Sequence, residues 1–161
     1  ETESTAQYIR RGYRLAVFDD AVKRLRKEGI EVIVHTILGL PGESNADILE
    51  TMEYLNQIDI QGIKLQLLHV LRGTDLATDY ENGRFRTYER DEYLSLLIEC
   101  LEHLRPDIVI HRITGDGPKD LLIAPLWASR KREVLNMLHH KMKEEHSFQG
   151  KQFIRKDLSF S

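Results

Sequence analysis

Residues 35–44 read HTILGLPGES and join the end of an apolar run to a turn that contains two glycines. The run from Ile30 to Leu38 is almost continuously apolar and rich in β-branched residues, which is typical of a strand buried on both faces. Gly39 and Gly42 permit positive φ or a close approach of the backbone to a ligand. A serine and an asparagine follow, and either of them can cap the next helix. The combination predicts a ligand-binding loop of an α/β protein.

Helical and strand patterns alternate along the rest of the chain. The predicted strands cover Ile30–Leu38, Gly62–Leu71 and Ile108–Ile113. Because helical segments separate them, the strands are expected to be parallel, with their carboxyl ends at one rim. The loops at that rim are Gly39–Ser44, Arg72–Asp75 and Thr114–Lys119. Three strands do not close a barrel, so the unit is an open sheet or part of a larger barrel.

Composition limits the classes of protein to which the chain can belong. The chain has 161 residues, 41% of them hydrophobic and 30% charged, with a net charge of −3. These values suit a globular domain and argue against nucleic acid or a membrane surface as the main partner. No apolar run approaches the ~20 residues of a membrane span, and the chain has neither a signal-peptide pattern nor an initial Met. With one cysteine, Cys100, the sequence predicts a piece of a longer cytoplasmic protein.

Three histidines, His35, His69 and His111, lie late on predicted strands. Imidazoles from neighbouring strands can bind zinc, and a hydrolase of that kind also needs a carboxylate, for which Asp116 or Glu43 is available. A metal-dependent hydrolase is therefore one alternative, although strand histidines are more often pocket or core residues. A phosphate- or nucleotide-binding module at the glycine turn is another, since helix N-termini attract anions.

Two lysines have open roles. Lys64 lies inside a predicted strand, where it either reaches the rim or pairs with a carboxylate, and pairing is the favoured interpretation. Lys119 lies beside Asp116 on the third rim loop. One interpretation is that these two residues contact a substrate, because loops on a rigid scaffold often carry function. The other is that Asp116 caps a turn and Lys119 is solvated.

Four blocks of sequence carry a resemblance to a known family. They are Arg11-Gly12-Tyr13, His35 through Glu43, Ile63 through Thr74, and Val109 through Asp116 running on to Ala124-Pro125-Leu126-Trp127. In this order they resemble the C-terminal half of radical S-adenosylmethionine (SAM) proteins. The greatest likeness is to uncharacterised bacterial iron–sulfur oxidoreductases, related to the elongator-type and oxygen-independent coproporphyrinogen oxidase branches.

The resemblance implies a fold and a function. The fold would be α/β, the C-terminal part of a partial TIM-type (β/α)6 barrel with a C-terminal extension over residues 1–145, followed by a weakly ordered tail over residues 146–161. The full-length parent would be an enzyme that uses SAM and a 4Fe–4S cluster to generate a 5′-deoxyadenosyl radical, which abstracts hydrogen from an unknown substrate. No catalytic residue and no metal ligand is assigned within this chain.

The resemblance also implies which residues contact the cofactor. The adenosyl-side candidates are Leu38, Gly39, Leu40, His69, Val70 and Leu71. The family's three cluster cysteines, spaced Cys-x-x-x-Cys-x-x-Cys, are absent, and Cys100 falls in the middle of a predicted helix. The fragment is therefore expected to be inactive alone and to bind neither cofactor. Its expected partners are the missing N-terminal half of the barrel and a second copy of itself at the open sheet edge.

Overall fold

A computed structural model describes residues 15–115 and 117–154 of the chain. The helices are α1 Leu15–Lys27, α2 Asn45–Asn56, α3 Asp75–Glu81, α4 Arg90–His103 and α5 Lys131–Glu144, with a 3-10 turn at Leu126–Ser129. The strands are β1 Ile33–Leu38, β2 Gly62–Leu67, β3 Val70–Leu71, β4 Val109–Arg112 and β5 Leu122–Ala124. The block Arg11-Gly12-Tyr13, Asp116 and residues 155–161 lie outside the described residues.

The main sheet has three strands in the order β1–β2–β4, and both pairings are parallel. β1 and β2 are in register from Ile33 opposite Gly62 to Leu38 opposite Leu67. α2 connects β1 to β2, and α3 and α4 connect β2 to β4, which confirms the predicted α/β class with helical crossovers. β1 pairs with β2 alone among the described strands, so no described strand covers its other edge.

The first strand begins three residues later than predicted, because Gly29 and Ile30 take part in the C-terminal cap of α1. The Gly29 amide donates to Arg26 and the Ile30 amide to Leu25, and Gly29 has φ +73°. These are the two hydrogen bonds of a Schellman cap. Ile30 therefore belongs to the end of α1, and β1 starts at Ile33.

The prediction of one continuous strand over Gly62–Leu71 is wrong. β2 ends at Leu67, and Val70–Leu71 form β3, which pairs antiparallel with β5 in a separate two-stranded sheet. The Leu68 amide makes a last hydrogen bond to the Leu38 carbonyl, at 2.9 Å, before the chain leaves β1. The sequence of residues 62–71 does not reveal this change of partner, because the pairing of β3 depends on β5, about fifty residues later.

The two faces of the main sheet differ. On one face Leu38, Ile63, Leu65 and Leu67 are at most 1% exposed and belong to the main hydrophobic core. The core is completed by apolar side chains of α2, α4 and α5, among them Ile48, Met52, Leu55, Tyr93, Leu94, Leu97, Val134 and Leu138.

The opposite face, here called the open face, carries the alternate residues Ile33, His35, Ile37, Lys64 and Gln66. Ile33 is 44% exposed and His35 is also exposed, whereas Lys64 and Gln66 are half-buried. In this chain β1 is therefore buried on one face only, although its apolar pattern is typical of a strand buried on both. Successive residues of a strand point to opposite faces, and the described helices pack on one of them.

The segment after α5, predicted to be a weakly ordered tail, makes polar contacts with the rest of the fold over residues 147–152. The Gln149 side-chain amide donates to the carbonyls of Arg105 and Ile108, and the Gly150 amide donates to the Leu101 carbonyl. Residues 147–152 thus pack on the end of α4 through polar contacts that hydrophobic periodicity does not detect. Among the described residues no helix is long and apolar enough to cross a membrane.

Candidate functional site

The two segments predicted to contact the cofactor lie side by side. The hydrogen bond from the Leu68 amide to the Leu38 carbonyl joins residues 38–40, after β1, to residues 69–71, after β2. Both follow the carboxyl ends of parallel strands, which is where α/β folds bind ligands. The spatial proximity of the two segments follows from the parallel register, whereas their contact with a cofactor stays a prediction.

Three of the candidate side chains point into the protein. Leu38 and Val70 are fully buried and Leu40 is 4% exposed. Some backbone groups of the two segments already form hydrogen bonds within the protein. The Leu40 carbonyl accepts from the Glu43 amide, and Leu71 pairs with Leu122 in the small sheet. A ligand at this rim would therefore contact the main chain of these residues and not their side chains.

Gly39 has φ +87°, and a Cβ there would lie 2.8 Å from the ring of Tyr88. The Tyr88 hydroxyl donates to the Asn45 side-chain oxygen at 2.6 Å, and its carbonyl accepts from the Trp127 indole. Burial raises the pKa of Tyr88 above its usual value. Tyr88 thus lies on the glycine turn and closes one side of a cleft of about 430 Å³ lined by residues 39–45 and 84–88. Sequence reasoning missed Tyr88, because nothing local links it to a turn more than forty residues earlier.

The helix that follows the turn begins with a capping box. Ser44 is the N-cap residue, and its side chain accepts from the Asp47 amide. The Asp47 carboxylate in return accepts from the Ser44 amide and hydroxyl, which holds the pKa of Asp47 below its usual value. The Asp47 carboxylate already accepts from one of the backbone N–H groups at this helix N-terminus and adds a negative charge there. The structure gives no support to the alternative of a phosphate-binding module here.

His69 lies under the third rim loop. A Cβ on Gly115 would come within 2.3 Å of its ring, and one on Gly117 within 2.9 Å. Both ring nitrogens are buried and have no hydrogen-bond partner among the described residues. Burial, followed by the nearby charge of Lys131, lowers the pKa of His69 and so favours the neutral ring.

The other two strand histidines belong to the open face of the sheet. His35 Nε2 donates to Gln66 Oε1 at 2.6 Å. The His111 ring covers Gly62, where a Cβ would lie 2.6 Å from Nε2. Lys64 lies in register with His35 and makes no hydrogen bond or ion pair with any described residue. The favoured prediction that Lys64 pairs with a carboxylate is therefore wrong.

The described residues do not fit a metal or cluster site. They contain no group of three or more His, Cys, Asp and Glu side chains that could hold a metal ion, so the hydrolase alternative has no support. Cys100 is buried, and burial raises the pKa of its thiol to about 12. A single protonated thiol inside the core is unsuited to binding an iron–sulfur cluster, which normally has three or four thiolate ligands.

Comparison of the sequence with protein families gives two matches in chain order. Residues 2–55 match the radical SAM superfamily. Residues 60–144 match the radical SAM C-terminal domain. The second match alone covers more than half of the chain, and together the two include both segments of the candidate rim.

Curated relatives come from bacteria, archaea and eukaryotes. The uncharacterised protein YtqA of Bacillus subtilis is 40% identical over 153 residues, which are 95% of this chain and 48% of that protein. MJ0486 of Methanocaldococcus jannaschii is 34% identical over 95% of this chain and 48% of its own length. Elongator complex protein 3 of Schizosaccharomyces pombe is 26% identical over 82% of this chain and 25% of its own length. The chain thus spans about half the length, or less, of these relatives.

A solved structure shares the fold. An N-terminally truncated Elp3 of the archaeon Methanocaldococcus infernus superposes with a TM-score of 0.76 at 16% identity, covering 92% of this chain and 35% of that one. The likeness extends over nearly all of this chain.

Proposed function

Because this chain belongs to the radical SAM superfamily, we propose that it is the C-terminal half of a radical SAM iron–sulfur oxidoreductase. The observation that carries the proposal is the order of the two family matches, residues 2–55 and then 60–144, on one parallel α/β fold. We propose the cofactors, the radical chemistry and an unknown substrate for the full-length parent only.

In the parent, SAM and a 4Fe–4S cluster would together supply a 5′-deoxyadenosyl radical that abstracts hydrogen from the substrate. The role proposed for this chain is to position the cofactor. Residues 38–40 and 69–71 present main-chain groups at the rim, and the buried side chains of Leu38, Leu40 and Val70 fix that backbone in place. A rigid backbone suits this role, because binding then costs little conformational entropy.

The cluster ligands are proposed to lie outside this chain. Cys100 does not fit the role, since its thiol is buried and its pKa is raised to about 12. We therefore propose that the 161-residue chain alone holds no cluster. The open edge of β1 would pair with the strands of the N-terminal half and, in the isolated chain, with a second copy, because an open edge presents unpaired backbone groups.

Hydrogen–deuterium exchange of the full-length protein tests the cofactor site. S-adenosylhomocysteine, an unreactive relative of SAM, is added at saturation, and amide exchange is followed by mass spectrometry. We expect slower exchange in peptides containing residues 38–40 and 69–71, because a ligand there shields main-chain amides.

A peptide from the exposed end of α5, including His140 and Glu144, is the internal control. Its exchange should be the same with and without the ligand. If S-adenosylhomocysteine binds but protects neither rim segment, the proposed adenosyl residues are refuted. If it does not bind at all, the proposal of SAM chemistry is in conflict with the result.

A further inference from the structure

Three aromatic residues, Tyr88, Trp127 and Tyr93, contact one another and are here called the aromatic cluster. The Trp127 indole N–H donates to the Tyr88 carbonyl at 3.0 Å. The rings of Trp127 and Tyr93 lie 5.6 Å apart between centroids, at an angle of 40°, which is a usual distance for an interacting aromatic pair. The cluster thus joins the loop before α4, the first turns of α4 and the 3-10 turn.

On one side the cluster contacts the glycine turn through Tyr88. The Tyr88 ring lies where a Cβ on Gly39 would be, at 2.8 Å, and its hydroxyl donates to the Asn45 side-chain oxygen at 2.6 Å. Asn45 is the first residue of α2. Tyr88 therefore contacts both ends of the turn that connects β1 to α2.

On the other side the cluster contacts the chain at the end of β4. The Tyr93 hydroxyl donates to the Ile113 carbonyl at 2.6 Å, and Ile113 directly precedes the third rim loop. In that loop Gly115 lies against the His69 ring, because a Cβ there would come within 2.3 Å of it. The cluster therefore connects the glycine turn, through the third rim loop, to the segment that contains His69.

Burial alone does not account for the polar groups of the aromatic cluster. Tyr93 is fully buried, and a buried hydroxyl is unfavourable unless it has a hydrogen-bond partner. Phenylalanine would fill a similar volume without that requirement. Each polar group of the cluster instead bonds to a segment at or beside the rim, namely Asn45, the Tyr88 carbonyl and the Ile113 carbonyl. These bonds fix the positions of the rim segments relative to one another.

We propose that the aromatic cluster holds the rim segments in the arrangement that binds SAM, so that Tyr88, Trp127 and Tyr93 are positioning residues. The inference rests on the proposed function, in which main-chain groups of residues 38–40 and 69–71 contact the adenosyl part of SAM. A backbone that is already fixed loses little conformational entropy on binding. Loosening the cluster should therefore weaken binding even where no ligand contact is removed.

Isothermal titration of the full-length protein with S-adenosylhomocysteine tests the proposal. Trp127→Phe and Tyr93→Phe each remove one hydrogen bond of the cluster and keep an aromatic ring. We expect each to weaken the affinity about fivefold, which is the scale of one lost hydrogen bond. Wild-type affinity in both variants would overturn the inference and leave the proposed function intact.

Tyr54→Phe is the matched control. It also removes a hydrogen-bonded tyrosine hydroxyl, which donates to Asp19 of α1. Tyr54 lies near the end of α2 that is remote from the rim, about 14 Å along the helix from Asn45. We expect the affinity to stay at the wild-type value even if the thermal midpoint falls as much as in Tyr93→Phe. A fivefold loss of affinity in Tyr54→Phe would overturn the specific role of the cluster.

A double variant tests whether the cluster acts as one unit. Because Trp127 and Tyr93 are in contact, Trp127→Phe/Tyr93→Phe should lose less affinity than the product of the two single losses. Losses that multiply would show two independent residues and would overturn the cluster as a unit.

Hydrogen–deuterium exchange of the ligand-free full-length protein gives a second readout. We expect Tyr93→Phe to speed amide exchange in peptides that contain residues 39–43 and 113–115, and Tyr54→Phe to leave both unchanged. Wild-type exchange of both peptides in Tyr93→Phe would overturn the inference. Failure of the wild type to bind S-adenosylhomocysteine would instead count against the proposed function, on which the inference rests.

Discussion

At the scale of single residues, two glycines of the same turn have different reasons to be glycine. Gly39 and Gly42 both have positive φ, +87° and +83°. Only Gly39 also lacks space for a side chain, because Tyr88 lies against it, whereas nothing lies within 4 Å of a Cβ on Gly42. The turn sequence predicts the need for positive φ, but the steric role of Gly39 depends on a distant tyrosine.

These two sites make a matched pair of substitutions. Gly42→Ala should lower the free energy of unfolding by about 1–2 kcal/mol, the typical cost of left-handed backbone for an L-residue. Gly39→Ala should cost about 1–3 kcal/mol more, because the new methyl group also collides with the Tyr88 ring. Urea unfolding of the full-length protein measures both.

The Gly39→Ala/Tyr88→Ala double variant is the control for the collision. Once the ring is absent, the alanine at position 39 should add only the backbone cost, similar to that at position 42. Equal effects of Gly39→Ala and Gly42→Ala in the wild-type background would contradict the steric role of Tyr88.

At the scale of elements, the capped helix after the glycine turn is confirmed. α2 begins at Asn45 with Ser44 as its N-cap residue, one of the two residues predicted for that role. Ser44→Ala should lower the free energy of unfolding by about 1 kcal/mol, because the first turn loses an acceptor for its free N–H groups. The shift of the thermal or urea midpoint measures this loss.

The reciprocal bonds between Ser44 and Asp47 give this prediction a control. Because the two side chains act as one capping unit, the Ser44→Ala/Asp47→Ala double variant should be less destabilised than the sum of the two single variants. Strict additivity would contradict a reciprocal capping box.

Elements were predictable where local sequence governs them. The parallel strands Ile33–Leu38 and Val109–Arg112 and the helix Arg90–His103 follow from hydrophobic pattern and flanking breakers. The division of Gly62–Leu71 into β2 and β3 was not predictable, because it depends on pairing with Leu122–Ala124, a segment fifty residues later. Long-range pairing leaves no local signal.

The same distinction applies to the candidate site. The proximity of residues 38–40 and 69–71 follows from parallel strands, so it could be anticipated. The hydrogen bond between His35 and Gln66 could not, because it depends on the register of β1 against β2.

At the scale of the whole molecule, the chain has the features of half of a barrel. One face of its sheet is covered by helices while the other is exposed, and β1 has no strand on its outer side among residues 15–115 and 117–154. Its relatives YtqA and MJ0486 are about twice as long as the matched region. We propose that the open edge of β1 pairs with a strand of the N-terminal half of the parent.

Anaerobic reconstitution tests the proposed function most directly. The full-length protein and the 161-residue chain are each incubated with iron and sulfide, reduced with SAM present, and analysed by absorbance and for 5′-deoxyadenosine. We predict a stoichiometric cluster and 5′-deoxyadenosine from the full-length protein, and neither from the 161-residue chain, whose one thiol, Cys100, is buried. A full-length protein that binds no cluster and forms no 5′-deoxyadenosine, or a 161-residue chain that does both, would contradict the assignment of this chain as the C-terminal half of a radical SAM enzyme.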